Sequence, residues 1–510
     1  MRFLGIDAGT TSMKSAVFDE NGRLLGLDRQ EYTLLTPSPA VVELEAETYW
    51  SAFCQSARNA LAKSNTRPQE VATICFSSQG ETFIPVDDRG VPLRRAIVWL
   101  DNRAVEEAQA IAARFPGVEF FHRTGQPEST PNWPAPKVMW LKHHEPEVFS
   151  CTAKFLLLED YLLFRLTGQY VTECAQQTSS TFLDIQQKSW WQEMLDLVGI
   201  SPAHLGRLLD PGQVVGPLTK AGARALGLTE KTFAVAGSMD QAIGAVGAGN
   251  IIPHLVTEST GGALGILVTL AEPLFDPQRR IPCYFHAVKD TYCLLPWGQT
   301  AGMALRWFRD QFFSLETQVA KQQGQDAYDL MTAEASGVVP GSDGVVALPH
   351  LEGAFCPEFD PLAKAVFYGA NLRHTRAHFI RAIIEAVAFM LKKNLDLVEG
   401  LGIPVGEVRS LGGGARSDLW LQIKADVLQK PITTLQVEEA ACLGAAVLGA
   451  VAARHFSGLT EAVSHMVHCK ARIEPQVANA GVYLERYSMY NELYDRLAPM
   501  FKKESGKWKP

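Results

Sequence analysis

A hydroxyl-rich turn between two short apolar segments occurs twice in this chain, and this repeat constrains the fold more than any other feature. The first copy joins Phe3–Ile6 to Ser15–Phe18 through the turn Asp7-Ala8-Gly9-Thr10-Thr11-Ser12. The second copy follows about 250 residues later, where Ser259-Thr260-Gly261-Gly262 leads into a strand pattern at 264–270. Repetition of one unit predicts a duplicated architecture of two related domains that face one another. We place the boundary between residues 245 and 256.

Strand and helix patterns alternate along the rest of the chain. Short apolar strands are predicted at 71–76, 96–99 and 408–411, and Asn21-Gly22 is a hairpin signal. Helical spacing runs from Glu45 past Ala60 and recurs at 377–399, 417–428 and 440–453. This alternation predicts an α/β fold in which helices cover the sheets.

Composition excludes several classes of protein. A chain of 510 residues that is 47% hydrophobic and 20% charged has the make-up of a globular protein with large cores. Its net charge of −8 argues against a nucleic-acid partner, although a small anionic ligand remains compatible. The nine cysteines are scattered without C-x-x-C pairs, which is typical of reduced thiols. With neither a leader pattern nor an apolar span of about 18 residues, we expect a cytoplasmic protein with no membrane partner.

The first turn has the groups that a phosphate site needs. Thr10, Thr11 and Ser12 can present hydroxyl and backbone N–H groups to phosphate oxygens, and Lys14 can neutralise phosphate charge. Asp7, at the end of the first strand, can hold Mg²⁺ directly or through water. The alternative is a hairpin with a polar tip. A dinucleotide oxidoreductase would need G-x-G-x-x-G after this strand, whereas residues 5–11 read G-x-x-x-G-T-T, so we set that class aside.

Two further segments favour a nucleotide site. Thr260 and Gly261 form the second Thr/Gly turn, and two such turns on facing domains could hold a polyphosphate from both sides. At 411–420 a strand leads into three glycines and then a helix, so a flat ligand could lie against bare backbone near helix N–H groups. A glycine run alone also serves as an ordinary strand–helix connection.

Acidic and polar residues mark a second chemical site. Asp240 lies among small apolar residues before a Gly/Ala-rich helix, where a carboxylate could act as a general base toward a hydroxyl or could cap the helix. Gln79 and Glu81 follow one predicted strand, and Asp101 and Arg103 follow the next. Ligands bind at such strand ends, and this mixture of donors and acceptors suits a polyhydroxy compound, although each residue alone could be an ordinary loop or ion-pair residue.

The order of seven segments resembles the FGGY family of carbohydrate kinases, over roughly residues 3–455. The segments are GIDAGTTSMK, IVWLDNR, KVMWL, SMDQAIGAVGAGN, WGQTAGMALRWFRD, AVFYGANLRHTRAHFIRAIIEA and LGGGARSDLWLQIKADVL. The resemblance implies two actin-like, ribonuclease H-like domains with ATP and Mg²⁺ bound in the cleft between them. It further implies a sugar-binding domain at 1–248 with the first phosphate loop, a nucleotide-binding domain at 249–455 and a helical extension at 456–510.

The same resemblance implies roles for individual residues. Asp240 matches the catalytic base, Gln241 lies beside it as in glycerol kinases, and Asp7 matches the acid near Mg·ATP. Gly80 and Glu81 match positions that contact the hydroxyls of the substrate. The nucleotide-contacting positions are matched by Thr10, Thr11, Ser12 and Lys14 in the first phosphate loop, Thr260 and Gly261 in the second, Gly302, and Gly413, Gly414, Ala415 and Asp418 in the adenosine motif.

Three positions depart from the family pattern. Most relatives have Gly-Glu-Arg-x-Pro where this chain has Gly353-Ala354-Phe355-Cys356-Pro357, so an acid–base pair is missing. Gly80 stands where relatives have a large side chain or an arginine, which reduces one wall of the expected pocket, and Asn132 is atypical of its motif. None of the three removes Asp240 or a phosphate loop.

The sequence therefore predicts an ATP- and Mg²⁺-dependent kinase that phosphorylates a hydroxyl of a small sugar, a ketose such as xylulose. Glu81 with Asp240 and Gln241 keeps a glycerol- or erythritol-like polyol open, and Arg103 keeps a gluconate-like acid open. A hypothesis from another class is an actin- or chaperone-like ATP-binding switch protein, which would need no sugar site. We expect a small sugar or polyol as the partner, and a homodimer.

Overall fold

The computed structural model describes residues 1–504 and divides into two compact units. Unit 1 comprises Met1–Pro253, Thr269–Leu294 and Glu439–His468. Unit 2 comprises His254–Val268, Leu295–Glu438 and the C-terminal part from Cys469. The limits predicted from the sequence, at 248 and 455, treat each domain as one continuous segment, whereas unit 1 takes up two later segments of the chain.

The first 253 residues alternate strands and helices. The strands are β1 Arg2–Ala8, β2 Ser12–Phe18, β3 Leu24–Glu31, β4 Leu35–Ser38, β5 Val41–Leu44, β6 Val71–Ser78, β7 Phe83–Val86, β8 Ala96–Ile97, β9 Lys154–Leu157, β10 Val171–Glu173, β11 Leu183–Asp184, β12 Ser189–Trp190, β13 Arg207–Leu209, β14 Val214–Pro217 and β15 Phe233–Met239. The helices are α1 Ala46–Lys63, α2 Val105–Arg114, α3 Gly117–Thr124, α4 Pro134–His144, α5 Pro146–Cys151, α6 Leu158–Thr167, α7 Cys174–Thr178, α8 Gln192–Val198, α9 Lys220–Leu226 and α10 Asp240–Gly247.

The second half of the chain has fewer strands and longer helices. The strands are β16 Leu255–Thr260, β17 Leu264–Leu270, β18 Cys283–Phe285, β19 Tyr292–Leu294, β20 Trp297–Gly298, β21 Val346–Leu348, β22 Val366–Tyr368, β23 Glu407–Leu411, β24 Ile432–Leu435 and β25 Cys469–Ile473. The helices are α11 Gly302–Phe312, α12 Ser314–Gln322, α13 Ala327–Ser336, α14 Arg376–Gly400, α15 Asp418–Leu428, α16 Ala440–Ala452, α17 Leu459–Met466 and α18 Ala480–Glu504.

The main sheet of unit 1 has six strands in the order β14-β15-β6-β1-β2-β3. β1, β2 and β3 form an antiparallel meander, while β6 lies parallel to β1 and β15 lies parallel to β6. The amphipathic helix α1 buries Tyr49, Phe53, Ala57 and Ala60 in the core against this sheet. The strand, hairpin and helix predictions for this region are confirmed, and the parallel strands direct their carboxyl ends to one edge.

A second sheet of unit 1, in the order β4-β5-β8-β7-β9, supports the segments that follow β6 and β8. All its pairs are antiparallel. The strand predicted at 96–99 is shorter than expected because the chain turns where Asp101 N donates to Val98 O (2.9 Å).

Helix α16 packs against β1 and α10 at backbone contact, and glycine makes this approach possible. A Cβ at Gly5 would lie 1.9 Å from Cys442 O, and one at Gly444 would lie 1.9 Å from Ile243 O. Any larger residue at these positions would collide with backbone. The small residues of this helix therefore serve close packing, and α16 covers one face of the main sheet.

The sheet of unit 2 repeats the arrangement around β1. The hairpin of β16 and β17 is antiparallel, β23 lies parallel to β16, and β24 lies parallel to β23. β1, β2 and β6 show the same relation in unit 1. The predicted duplication and the mixed α/β fold with two domains are confirmed.

Two smaller findings complete the fold. Where the family's Gly-Glu-Arg-x-Pro is replaced, Phe355 packs against Trp297 (ring centroids 5.3 Å apart) within an aromatic cluster that includes Phe359. An apolar contact thus occupies the position of the missing acid–base pair. Across residues 1–504, none of the helices combines the length and the apolar character that crossing a membrane requires.

Candidate active site

Three parallel strands of unit 1 end side by side, and the residues after them form the candidate acceptor site. Asp7 of β1 pairs with Ser77 of β6, which in turn pairs with Ser238 of β15. The first turn, the segment 79–81 and Asp240 therefore begin at the same edge of the sheet. Residues far apart in the chain are brought together here because parallel strands share one carboxyl edge.

Asp240 is the first residue of α10 and is partly exposed. Its Oδ1 accepts the N–H of Gln241 at 2.6 Å, and Met239 occupies the capping position of the helix. Burial, and then the negative charges of Asp7 and Glu81, raise the pKa of Asp240 to about 7. A carboxylate with such a pKa can take a proton from a hydroxyl near neutral pH, which suits a general base. Gln241 follows it and is also partly exposed.

Asp7 lies at the end of β1 between a hydroxyl and an ammonium group. Ser77 Oγ donates to its Oδ1 at 3.2 Å, and Lys14 Nζ lies 3.7 Å from its Oδ2. Lys14 also donates to Glu439 at 2.7 Å. Burial raises the pKa of Asp7 despite the opposing effect of Lys14. The predicted phosphate-neutralising lysine therefore also balances two carboxylates.

The first turn presents free backbone donors. Gly9 N donates to Ser12 O at 3.0 Å, which closes the turn, whereas within residues 1–504 the N–H groups of Thr10 and Thr11 have no acceptor. Thr10 Oγ1 accepts Trp99 Nε1 at 2.9 Å, so its own hydrogen remains available. Successive unpaired N–H groups form a concave anion site. Ser12 is buried at the start of β2.

The segment after β6 combines strain with open space. Glu81 is partly exposed and has φ +56°, an unfavourable backbone conformation for a residue other than glycine, which is frequent at ligand sites. Burial raises the pKa of its carboxyl group. A Cβ at Gly80 would meet Ser179 Oγ at 3.4 Å, an ordinary contact, so the fold does not demand glycine there. Gln79 Nε2 donates to Gly9 O at 3.3 Å and supports the first turn.

Asp101 and Arg103 are bound to each other in unit 1. Asp101 is buried, and its oxygens accept Arg103 Nε at 2.8 Å and Val42 N at 2.7 Å. Arg103 Nη2 also donates to Glu43 at 2.7 Å. The pair fixes the end of β8, and a direct role of either residue with a substrate stays a prediction.

Sequence reasoning assigned no role to a lysine that organises this region. Lys137 of α4 is fully buried and donates to Val98 O at 2.9 Å and Trp99 O at 3.3 Å. Asn132 Nδ2 also donates to Trp99 O at 3.3 Å. Burial lowers the pKa of Lys137 to about 7. Its segment KVMWL contributed to the family resemblance, but nothing local in the sequence indicates which carbonyl groups the side chain meets.

Unit 2 contains a cavity of about 380 Å³ beside the second Thr/Gly turn, a size suited to a small ligand. Five predicted residues line it, namely Thr260, Gly261, Gly302, Gly413 and Gly414. Ala415 and Asp418 are not among its lining residues. The remaining wall comes mostly from α11, α13 and the start of α15, and only its α13 side lies outside the motifs quoted above: Gly262, Met303, Leu305, Arg306, Asp326, Tyr328, Asp329, Thr332, Arg416, Ser417 and Trp420.

Backbone donors are also free in this cavity. In the described part of the chain, the N–H groups of Gly262, Gly413 and Gly414 have no acceptor, whereas Gly302 N donates to Gly261 O at 3.0 Å. A Cβ at Gly302 would lie 2.3 Å from Gly261 O, so the start of α11 can approach the turn only as glycine. Free N–H groups of glycine-rich turns bind phosphate oxygens.

The acidic residues of unit 1 fit Mg²⁺ only as an ion bound together with phosphate. Among residues 1–504 there is no group of three or more His, Cys, Asp or Glu arranged to hold a metal ion by itself. Proteins usually hold Mg²⁺ through one or two carboxylates, waters and the phosphates of the substrate. Asp7 fits that requirement because its side chain is partly exposed. It also lies close enough to Asp240 for its negative charge to raise the pKa of Asp240.

Comparison with family models and known proteins finds similarity over most of the chain. The family model for the N-terminal domain of FGGY carbohydrate kinases matches residues 2–247, and the model for the C-terminal domain matches 259–453. A gluconokinase of Bacillus licheniformis is 30% identical over 492 residues (96% of this chain and 95% of the relative), and a xylulose kinase of Bacillus subtilis strain 168 is 29% identical over 492 residues (96% of each).

A crystal structure of ligand-bound xylulose kinase from Lactobacillus acidophilus superposes with a TM-score of 0.89 at 25% identity, covering 99% of this chain and 100% of that one. The two family models together span most of the 510 residues, and the matched ranges include the turns, strand ends and glycine run described above. The chain therefore belongs to the FGGY family of carbohydrate kinases.

Proposed function

We propose that the chain transfers the γ-phosphoryl group of ATP to a hydroxyl of a small neutral sugar, a ketose such as xylulose. The observation that most supports this function is Asp240, a partly exposed carboxylate at the end of β15 whose pKa is raised to about 7. The relatives named xylulose kinase support the choice of ketose. An ATP-binding switch protein would need no such base.

In the proposed reaction an acceptor hydroxyl oxygen bonds to the γ-phosphorus while the bond from that phosphorus to the β–γ bridging oxygen breaks. Asp240 accepts the hydroxyl proton, and ADP leaves. Each unit has free N–H groups suited to phosphate oxygens, those of Thr10 and Thr11 in unit 1 and those of Gly262 and Gly413 in unit 2. Asp7 would hold Mg²⁺, and the chemistry that the ion would supply is neutralisation of the charge on the phosphate oxygens.

The charges near Asp240 favour a neutral acceptor over a sugar acid. Asp7 and Glu81 both raise the pKa of Asp240, so a carboxylate ligand would meet further repulsion. The nearby cations are engaged, since Arg103 binds Asp101 and Glu43, and Lys137 donates to two backbone carbonyls. The relatives named gluconokinase make a sugar acid the alternative that the experiment must exclude.

An assay of ADP release with xylulose, glycerol, erythritol or gluconate as acceptor tests the proposal. We expect xylulose to give the highest kcat/KM, and ATP turnover without acceptor to be slower by orders of magnitude because water is a poor substitute for the positioned hydroxyl. A preference for gluconate would contradict the charge argument, and no stimulation by any carbohydrate would contradict the kinase function. The cytoplasmic location and the homodimer remain predictions, and light scattering in solution tests the latter.

A further inference from the structure

A cluster of four buried polar side chains lies directly beneath the second Thr/Gly turn of unit 2. Glu258 and Thr260 belong to β16, Ser410 to β23 and Lys424 to α15. Each is at most 1% exposed. An ion pair buried to this degree has a large desolvation cost, so its presence beside the cavity calls for a specific role.

The hydrogen bonds of the cluster form a closed set. Lys424 Nζ donates to Glu258 Oε1 at 2.5 Å, to Thr260 Oγ1 at 3.0 Å and to Ser410 Oγ at 3.3 Å, which uses all three of its donors. Thr260 Oγ1 donates its single hydrogen to Glu258 Oε2 at 2.7 Å, and Ser410 Oγ donates to Glu258 Oε1. A fully satisfied buried network holds its members in one geometry.

This closed set determines what Thr260 can offer a nucleotide. Its hydroxyl hydrogen points inward to Glu258, and a phosphate oxygen is itself an acceptor, so the hydroxyl cannot bind phosphate. Contact with phosphate at this turn therefore falls to backbone N–H groups, such as that of Gly262. The direction of these N–H groups depends on how firmly Glu258 and Lys424 hold Thr260 at the end of β16.

The cluster also contacts the glycine-rich segment across the cavity. A Cβ at Gly414 would lie 2.7 Å from Thr260 Cβ and 3.3 Å from Lys424 Nζ, so this segment rests directly on the cluster. Lys424 Nζ lies 5.5 Å from the ring centroid of Trp420, another residue of the cavity wall. One buried ammonium group thus touches the second turn, the glycine run and the aromatic wall.

We infer that Lys424 and Glu258 are positioning residues for the nucleotide: the ion pair fixes Thr260 and Gly414 relative to each other, so that the free backbone N–H groups of Gly262 and Gly414 converge on phosphate. This inference rests on the proposed function, because it takes the cavity of unit 2 as the nucleotide site. Neither residue touches the ligand, and both act through the turn and the glycine run.

A purely structural role predicts a different result from a positioning role. Replacement of a buried ion pair by apolar residues of similar size is often neutral or stabilising. The double variant Glu258→Leu/Lys424→Met should therefore fold, and its melting temperature should fall only by the cost of the buried Thr260 and Ser410 hydroxyls that lose their partners. If the pair positions the turn, nucleotide affinity falls in this variant but not in a control variant that loses as much stability.

The test measures ADP binding to the full-length protein by isothermal titration calorimetry, together with thermal unfolding. We expect the double variant to bind ADP at least about tenfold more weakly, equivalent to ~1.4 kcal/mol. Thr260→Val should show a similar loss, whereas Thr260→Ser, which retains the hydroxyl, should bind like the wild type. Arg381→Met is the matched control, since Arg381 forms a buried ion pair with Glu385 at 2.8 Å elsewhere in unit 2.

The control should lose stability and keep its ADP affinity within about twofold. A double variant that binds ADP as tightly as the wild type would overturn the inference, because the pair would then be dispensable for nucleotide geometry. If the wild type binds ADP, the variants do not, and no carbohydrate is phosphorylated, only the proposed function fails. A wild-type protein that binds no ADP would contradict both.

Discussion

At the scale of single residues, the reactivity of Asp240 comes from its neighbours. A lone exposed aspartate has a pKa near 4. Burial and the charges of Asp7 and Glu81 raise that pKa to about 7. The arrangement costs stability, because like charges are held together, and it yields a base that can both take and hold a proton near neutral pH.

Replacement of Asp240 by Asn tests this role. Asn has nearly the same shape but cannot accept the proton, so we expect kcat with the preferred carbohydrate to fall by about 10²–10⁴-fold. ADP affinity should be unchanged, because ADP lacks the γ-phosphoryl group that the acceptor attacks and Asp240 does not line the nucleotide cavity. Steady-state kinetics and calorimetry measure the two quantities, and near-normal turnover would remove Asp240 from the role of base.

The raised pKa also predicts the pH dependence of the reaction. Only the ionised form of Asp240 can accept a proton, so kcat/KM should fall about tenfold per pH unit below pH 7. Glu81→Gln removes one of the charges that raise this pKa, and the acidic limb should therefore move to lower pH. Rates measured between pH 5 and 9 give both curves; an unchanged limb in the variant would show that Glu81 does not influence the base.

At the scale of secondary-structure elements, a shift in strand pairing and a buried glutamate determine the direction in which β15 ends. Its pairing with β6 shifts between Val235 and Ser238, and a Cβ at Gly237 would lie 1.6 Å from Phe76 O. Glu159 of α6 accepts the N–H of Gly237 at 2.6 Å. The strand that leads into Asp240 is thus held three residues earlier by a carboxyl group on another helix.

Glu159 belongs to a group of three buried acids that makes stability depend on pH. Burial raises the pKa of Glu159, Asp160 and Glu173 to about 8 each. Between about pH 4 and 8 the folded state keeps protons that the unfolded state loses, so the free energy of unfolding falls as pH rises. Glu173→Gln removes one titrating group and should reduce this slope by about 1 kcal/mol per pH unit.

Urea unfolding of the wild type and of Glu173→Gln at pH 5.5 and 7.5 measures the slope. Glu173 accepts the N–H groups of Ala175 and Gln176 through separate oxygens at 2.9 and 3.1 Å, and the single amide oxygen of Gln keeps one of these two capping bonds at the start of α7. Equal slopes in the two proteins would mean that Glu173 is already ionised in the folded state.

The elements show which parts of the site were predictable. Turns and strands follow from local composition, so Thr10, Gly413 and the end of β15 were found directly. The Lys424–Glu258 pair joins residues 166 positions apart, and the contacts of Lys137 lie on backbone carbonyls, for which sequence has no signature. The wall supplied by Tyr328, Asp329 and Thr332 of α13 lacks a motif, because a nucleotide can pack on many kinds of side chain. Long-range pairing and cavity shape therefore required the structure.

At the scale of the whole molecule, unit 1 is completed by a helix from near the end of the chain. α16 meets β1 and α10 at backbone distance through Gly5, Gly444 and Gly247, and a Cβ at Gly247 would lie 1.8 Å from Ala440 O. The N-terminal family model ends at residue 247, before this helix. A family domain and a folding unit are therefore different segments in this protein.

Gly444→Ala tests how tightly α16 must pack. Its Cβ would meet Ile243 O at 1.9 Å, so we expect a loss of about 2–4 kcal/mol in the free energy of unfolding. Gly244→Ala is the matched control, because Gly244 is also a buried helical glycine and no atom lies within 4 Å of its Cβ. The control should be neutral or gain up to about 1 kcal/mol. Equal effects in chemical denaturation would show that the two helices can move apart freely.

α16 packs against β1 although it lies more than 400 residues later in the sequence, and this has a consequence for synthesis of the protein. Synthesis proceeds from the N-terminus, so β1 leaves the ribosome long before its covering helix α16. For most of translation the face of β1 around Phe3 and Gly5, which packs against α16 and the residues after it, has no native partner. The nascent chain should therefore depend on chaperones that bind exposed apolar segments, and slow translation of the second half would lengthen that dependence.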